Sequence, residues 1–390
     1  SIKADWGLYY RPIEDNSLEF SYVGKVGTGS TIYQGTNRYN INGFFQQQHK
    51  LEVKNDNFFV RAYEVSDKAG DSYDMVFTGI NINRAWKSDN QWFQEYIGTY
   101  AGIELAGNPQ GLTTQQKHDA SRAVADTGRF LPGSAGYNAA FNKSINDPDL
   151  RTGSKFQDAS KYFHSDANYN FGHLTDIAEI QVGGSFRKYN LNSGGTIYTD
   201  FDGPIEYSEF GIYSQVQKDL ELNEDMKLKL TASGRYDKSE LFDGFFSPRL
   251  SAGLTVNRNH NVRASVQTGF RNPTTQDLFI GLDAGRAILV GSAPSNLDRY
   301  SRDYSITTAG QSLPGVPATV TQTGEAAYIN SYSASSVHAF AASGNLSALT
   351  VATPDIIKPE KVTSIELGSR GKVASSIVAF STYSNKYDVF

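Results

Sequence analysis

Met226-Lys227-Leu228-Lys229-Leu230-Thr231-Ala232-Ser233-Gly234-Arg235-Tyr236-Asp237 alternates without a break. Met226, Leu228, Leu230, Ala232, Gly234 and Tyr236 fall on one side, and Lys227, Lys229, Thr231, Ser233, Arg235 and Asp237 on the other. A period of two held this long describes a β-strand with one apolar and one hydrophilic face. The pattern spreads outward. Val262, Ala264, Val266 and Phe270 oppose Arg263, Ser265 and Gln267; Ile180, Val182 and Phe186 oppose Glu179, Gln181, Ser185 and Arg187. Residues 18–26 and 249–256 follow the same rule.

Extended along the chain, the alternation predicts twelve strands, at 3–11, 17–26, 39–54, 57–66, 160–173, 177–190, 207–221, 226–238, 246–257, 261–270, 361–371 and 375–389. Most reach the roughly 9–11 residues that cross a bilayer at a tilt. Short turns near Glu14–Asn16, Asn55–Asp56, Leu174–Asp176, Asn223–Asp225, Arg258–His260 and Lys372–Ala374 alternate with longer connections at 27–38, 67–159, 191–206, 239–245 and 271–360. Tight turns on one rim and long loops on the other describe an antiparallel transmembrane β-barrel with external loops. A soluble β-sandwich predicts the same strand alternation. It does not accommodate two connections as long as 67–159 and 271–360, which a compact soluble domain rarely carries.

Composition agrees. Tyr 23, Phe 23 and Gly 36 against Met 2 favour strands and turns over helices. The 390 residues carry 36 basic and 41 acidic side chains, a net charge of −5, and this mixed balance argues against a nucleic-acid partner. The absence of cysteine removes disulfides, thiol nucleophiles and iron–sulfur ligation. No apolar run is long enough for a membrane-spanning helix. The opening Ser1-Ile2-Lys3-Ala4-Asp5 has no initiator Met and no apolar leader, so a processed chain or a piece of a longer one is expected.

Chemical motifs are sparse. The histidines at 49, 118, 164, 173, 260 and 338 have no metalloprotease spacing, and Gly27-Thr28-Gly29-Ser30 lacks the Lys of a phosphate loop and reads as an outer turn. No Gly-x-Ser-x-Gly elbow occurs. Asn146-Asp147-Pro148-Asp149 offers oxygen ligands without the remainder of a calcium loop. No cofactor, metal site or catalytic residue is expected. Within the first long loop, residues 114–125 read as a surface helix, and 83–101 as the place of another. Trp86, Trp92, Phe93 and Tyr96 cluster there, with Tyr100 beside them. They either pack the loop onto itself, the plainer reading, or form an aromatic patch that contacts a ligand.

The stretch 207–274 resembles the barrel of TonB-dependent outer-membrane receptors, especially those of the Bacteroidota lineage. The resemblance rests on Glu209-Phe210-Gly211-Ile212-Tyr213-Ser214-Gln215-Val216, Gly234-Arg235-Tyr236-Asp237, Phe246-Ser247-Pro248-Arg249-Leu250-Ser251 and Gly269-Phe270-Arg271-Asn272-Pro273-Thr274, in that order. Gln276-Asp277-Leu278-Phe279 follows. Beyond the second long loop, Lys358-Pro359-Glu360-Lys361-Val362, Glu366-Leu367-Gly368 and Tyr383-Ser384-Asn385-Lys386-Tyr387 continue it. Residues 1–206 fit in pattern and order more than in motif.

The resemblance implies a Gram-negative outer-membrane receptor for active nutrient uptake (a siderophore, glycan or peptide), with ligand recognition by the loops at 67–159, 191–206 and 271–360. It implies TonB as a partner through a segment outside this chain, lipid around the wall, and a surface lipoprotein or other outer-membrane subunits as further partners. Such receptors close about 22 strands around a plug. About twelve strands are read here and no plug sequence, so residues 1–390 look like a central barrel portion, although Phe390 is the kind of residue with which outer-membrane barrels end. A structural or passive barrel subunit and an outer-membrane hydrolase are the alternatives. Arg271, Asn272, Pro273, Pro359 and Glu360 take structural roles in this reading: each proline, lacking an N–H, marks a strand boundary at the outer rim. Arg235 and Arg249 should face the lumen and find counter-charges such as Asp219 and Glu366, and Leu228 should lie at the lipid midplane.

Overall fold

The alternating segments pair with their sequence neighbours, and a single antiparallel meander results. In the computed structural model, which describes residues 1–35, 38–283, 288–373 and 375–388, it begins with β1 (Ile2–Tyr10), β2 (Glu19–Gln34), β3 (Arg38–Lys54) and β4 (Phe58–Lys68). A first excursion carries a two-residue strand β5 (Tyr73–Asp74) that pairs with β3, then helices α1 (Met75–Trp86), α2 (Asp89–Leu105), α3 (Thr114–Ala125) and α4 (Ala135–Asn146). The meander resumes through β6 (Lys161–Asn170), β7 (Glu179–Leu191), β8 (Ile205–Asn223), β9 (Met226–Ser239), β10 (Phe245–Val256) and β11 (His260–Arg271).

A second excursion holds short pieces. They are α5 (Thr275–Phe279), β12 (Gly281–Asp283), β13 (Ile288–Val290), α6 (Asn296–Arg299), β14 (Ser301–Ser305), α7 (Thr308–Gln311), β15 (Thr319–Thr323), α8 (Gly324–Ile329) and α9 (Ala334–Ser343). Strands β16 (Glu360–Val373) and β17 (Ser376–Asp388) complete the wall. Its order is β1-β2-β3-β4-β6-β7-β8-β9-β10-β11-β16-β17, the twelve segments read from the alternation. Two sequence readings, the turn residue Ala374 and the terminal aromatic Phe390, lie outside the described residues. Among the described residues no helix is long and apolar enough to cross a membrane.

The tight turns have local causes. Asn257 and Arg258 both take positive φ, 48° and 57°, as hairpin turns that match the right-handed strand twist require. Asn55 Oδ1 accepts from the N–H groups of Asn57 and Phe58 at 2.8 Å each and shapes the β3–β4 turn. The 27–38 segment corrects an expectation. Gly27–Ser30 is strand, not an outer turn: β2 runs on to Gln34, with a register shift between Gly29 and Thr31. Glycine and serine there lower strand propensity, but continuous pairing with β3 overrides it.

Burial is inverted relative to a soluble sheet. Leu250, Val266 and Ile365 are register partners across three strands and remain 57%, 42% and 53% exposed. Phe186, Phe210 and Phe246 are exposed on the same side. On the opposite side of the wall, Glu19 and Ser21 are buried. Apolar residues facing out and charged residues facing in describe a wall whose solvent is hydrocarbon. Lys218 lies on the apolar side near the tight-turn rim, and its ammonium reaches back to the Asp176 and Ile177 carbonyls, leaving its stem along the greasy face. Leu228 corrects the depth assigned to it: β9 begins at Met226, so this residue stands at the turn rim rather than at mid-span.

The buried apolar cluster lies away from mid-wall. Leu278, Phe279 and Ala293 of the second excursion pack on Leu191, Ile205 and Tyr207 at the outer ends of β7 and β8. Beside it, Asp200 clamps the 193–200 turn, accepting from Ser193 Oγ at 2.6 Å, Gly194 N at 2.9 Å and Gly195 N at 2.8 Å. The two free sides of the sheet belong to β1 and β17, which among the described residues pair only with β2 and β16.

Candidate functional site

Register builds the lumen side row by row. His164 on β6 pairs with Arg187 on β7, Arg187 with Glu209 on β8, and Glu209 with Ser239 on β9. All project from one face because each occupies the same phase of the pleat. Arg187 Nε approaches His164 Nδ1 at 3.3 Å, and its Nη1 approaches Glu209 Oε1 at 3.3 Å and Tyr189 Oη at 3.1 Å. Tyr189 donates to the same Glu209 oxygen at 3.1 Å. Asn272 Nδ2 donates to Glu209 Oε2 at 3.3 Å, tying the end of the strand-to-loop passage into the row.

One row away, Arg235 Nε lies 2.8 Å from both Asp237 oxygens, and its Nη2 donates to Ser185 Oγ at 2.9 Å. Gly211 sits opposite Asp237, and a Cβ there would collide with that pair. The ion pairs continue along the same face: Lys50–Glu52 at 3.3 Å, Arg61–Asp166 at 2.7 Å and Arg263–Glu366 at 2.9 Å. These distances correct the partners expected for Arg235 and Glu366. Each is taken by a nearer charge, Asp237 two residues along the strand and Arg263 on the diagonal across β11 and β16.

Two adjoining clefts of about 170 and 300 Å³ share Arg187, Glu209, Ser239 and Asn272. The first adds Arg235 and Asp237, the second Tyr189, Tyr207, Phe242 and Leu278. The site is therefore a polar, aromatic-rimmed depression beneath the second excursion, with forked donors from two arginines and acceptors from Glu209 and Asp237. It can hold a polar solute by hydrogen bonds and charge. Among the described residues no group of three or more His, Asp or Glu is disposed to hold a metal ion.

The residues singled out from the sequence fall in two places. Arg271 ends β11, Glu360 opens β16, and the two are register partners with an ion pair at 3.0 Å. Asn272 and Pro273 line the clefts, and Pro359 immediately precedes β16. Trp86, Trp92 and Phe93 share a cavity of about 270 Å³ among the helices of the first excursion. Tyr96 turns toward α3, where its ring stacks on His118, and Trp92 stacks on Tyr96 at 5.1 Å. Asp147 and Asp149 are engaged locally: Thr152 Oγ1 donates to Asp147 at 2.7 Å, and the Arg151 guanidinium holds the Asp149 carboxyl below its usual range. The row His164–Arg187–Glu209 went unread, because partners more than twenty positions apart meet only once register is known.

A family model described as TonB dependent receptor-like, beta-barrel, matches residues 2–388. The chain belongs to that family. It is thus an outer-membrane protein of Gram-negative bacteria, in a family of transporters and not of enzymes. Among solved structures it is similar to a mutant form of the ferric enterobactin receptor PfeA from Pseudomonas aeruginosa, with a TM-score of 0.50, 12% identity, and coverage of 99% of this chain and 42% of that one. The siderophore receptor PirA from Acinetobacter baumannii gives a TM-score of 0.48 at 10% identity, covering 99% and 42%. The FrpB iron transporter from Neisseria meningitidis gives 0.45 at 9%, covering 99% and 44%. Identities this low speak to fold alone, and the chain spans less than half the length of these proteins. No curated protein matches the sequence.

Proposed function

We propose that this chain is the recognition-bearing portion of the barrel of an outer-membrane receptor that takes up a nutrient (a siderophore, glycan or peptide) with energy delivered through TonB. The carrying observation is the wall itself: apolar residues outward, a ladder of ion pairs inward, and both long excursions leaving the rim opposite the tight turns. A lumen lined with paired charges is suited to polar cargo and to a plug that must slide against it without being gripped by bare charge. TonB would be engaged by a segment outside residues 1–390, and a plug domain likewise. The free sides of β1 and β17 fit a larger barrel of about 22 strands, because an unpaired strand edge in lipid leaves backbone groups without partners. Ligand capture falls to residues 67–159, 191–206 and 271–360. A surface lipoprotein is a fitting partner over that rim.

The test is uptake by the complete protein in outer membranes of TonB-proficient and TonB-deficient hosts, using labelled ferric siderophores, oligosaccharides and peptides as cargo. Accumulation of one cargo class only in the proficient host, abolished by an uncoupler, is the expected result. Flux that is equal in both hosts overturns active uptake and leaves a passive barrel.

A further inference from the structure

The helical excursion carries a second depression, separate from the lumen clefts. Trp86 at the end of α1, Trp92 and Phe93 near the start of α2, and Arg122 and Arg129 in and behind α3 enclose the cavity of about 270 Å³. Local folding explains why these groups converge. Ser88 caps α2 and turns the chain sharply after α1, while the Trp92 indole donates to Asp126 at 2.8 Å and binds α2 to the end of α3. Tyr96 covers one face of Trp92, and the Lys87 ammonium stands 4.6 Å from the Trp86 ring centre. Phe93 is left 55% exposed.

The charges around this groove do not cancel. Lys87 is taken by Glu95 at 2.5 Å and by the Ala125 carbonyl at 2.6 Å, and Arg84 is taken by Asp89 at 2.8 Å. Arg122 and Arg129 line the cavity, yet among the described residues neither is in an ion pair. Even with the Asp126 carboxylate counted against them, these two guanidinium groups leave one positive charge in excess. A guanidinium fork favours a planar acidic group, and an exposed aromatic ring favours a flat apolar face.

We propose that this groove binds a ligand that joins a ring with an apolar face to an acidic group, the chemistry shared by acidic sugars and aromatic acids. The assignment rests on the proposed reading that residues 67–159 capture ligand and names the ligand class; binding to the groove and TonB-dependent uptake can each fail without the other. Calorimetric titration of the full chain in detergent micelles tests it with trigalacturonate, benzoate and the neutral maltotriose. One or both acidic probes should bind while maltotriose does not, and which acid binds separates the two sources. Tryptophan emission gives a second readout: in a Trp6→Phe background the remaining indoles of this chain, Trp86 and Trp92, both line the groove.

Replacing Arg122 and Arg129 together by Ser should weaken the acidic probe by roughly tenfold or more. Raising salt should weaken it in the unmodified chain, which keeps the proposal testable if that variant does not fold. Absence of binding by both acids, equal binding of maltotriose, indifference to salt, or full affinity in a folded double variant each overturns the proposal.

Discussion

The wall and the cap at its outer rim bury opposite things. Along β9, β10, β11 and β16 the greasy residues face outward and the enclosed side is a ladder of ion pairs; where Leu278 and Phe279 dock on Leu191, Ile205 and Tyr207, the greasy residues are the enclosed ones. The same alternating strand serves both ends. Within hydrocarbon no gain comes from hiding apolar surface, so backbone pairing and lumen charges hold the wall. Above it water returns, and ordinary hydrophobic burial fixes the second excursion over the clefts. In the proposed receptor, an excursion so anchored would meet a ligand with less ordering cost than a free one.

Truncating the cap should produce the largest effect. Phe279 is 1% exposed in the cluster, and Phe279→Ala should cost about 3–5 kcal/mol of local stability. Limited proteolysis should then cut within 272–300 while heat-modifiable gel mobility stays that of a folded barrel. Loss of the barrel band together with the loop would break the division between cap and wall. The wall should answer to charge instead. Val266, at mid-span of β11 between Leu250 and Ile365, becomes costly as Val266→Arg, about 2–4 kcal/mol, whereas Leu228→Arg at the turn rim should cost about 0–1 kcal/mol. Urea titration of both variants in lipid vesicles measures the difference, and equal costs would refute the assigned depths. On the lumen side, Arg263→Gln removes an ion pair to Glu366 from a guanidinium that is well exposed, and should cost at most about 1 kcal/mol in the same titration.

That gradient also marks what the sequence made legible. The twelve wall strands are readable because lipid on one side and a wet lumen on the other impose strict alternation; helix α3 matches the surface helix expected at 114–125, and the structure adds the capping box of Thr113 and Gln116 at its start. Segment 27–34 misled because its glycines and serines resemble a turn, and nothing local announces that β3 keeps pairing with it. The partners of Arg235 and Glu366 were missed for a different reason. Face is set by parity, which is local, but partner and depth are set by register and by the distance to a turn, which are not. The lumen row through His164, Arg187 and Glu209 belongs to that second kind of information, whereas the aromatic cluster at 86–96 could be found by proximity in the chain.

The smallest effect concerns protons, and it separates cap from wall once more. Asp158, in the segment that leads into β6 outside the span, has its carboxyl pushed above the ordinary 3.8, first by burial and further by the nearby carboxylates of Asp67 and Asp200; hydrogen bonds from Ser160 oppose the shift without cancelling it. A carboxyl with a higher affinity for protons when folded than when unfolded stabilises the fold fully below its unfolded value. That contribution is lost as pH rises from 3.8 through the folded value, because the native state then binds more protons than the unfolded one. Proteolytic resistance of the 155–160 segment should therefore fall with rising pH over the mildly acid range and level off above it. Asp158→Asn keeps the shape and removes the proton, so it should flatten this dependence and leave barrel mobility unchanged. A wall that loosened over the same pH window would place the titrating group among the lumen pairs instead.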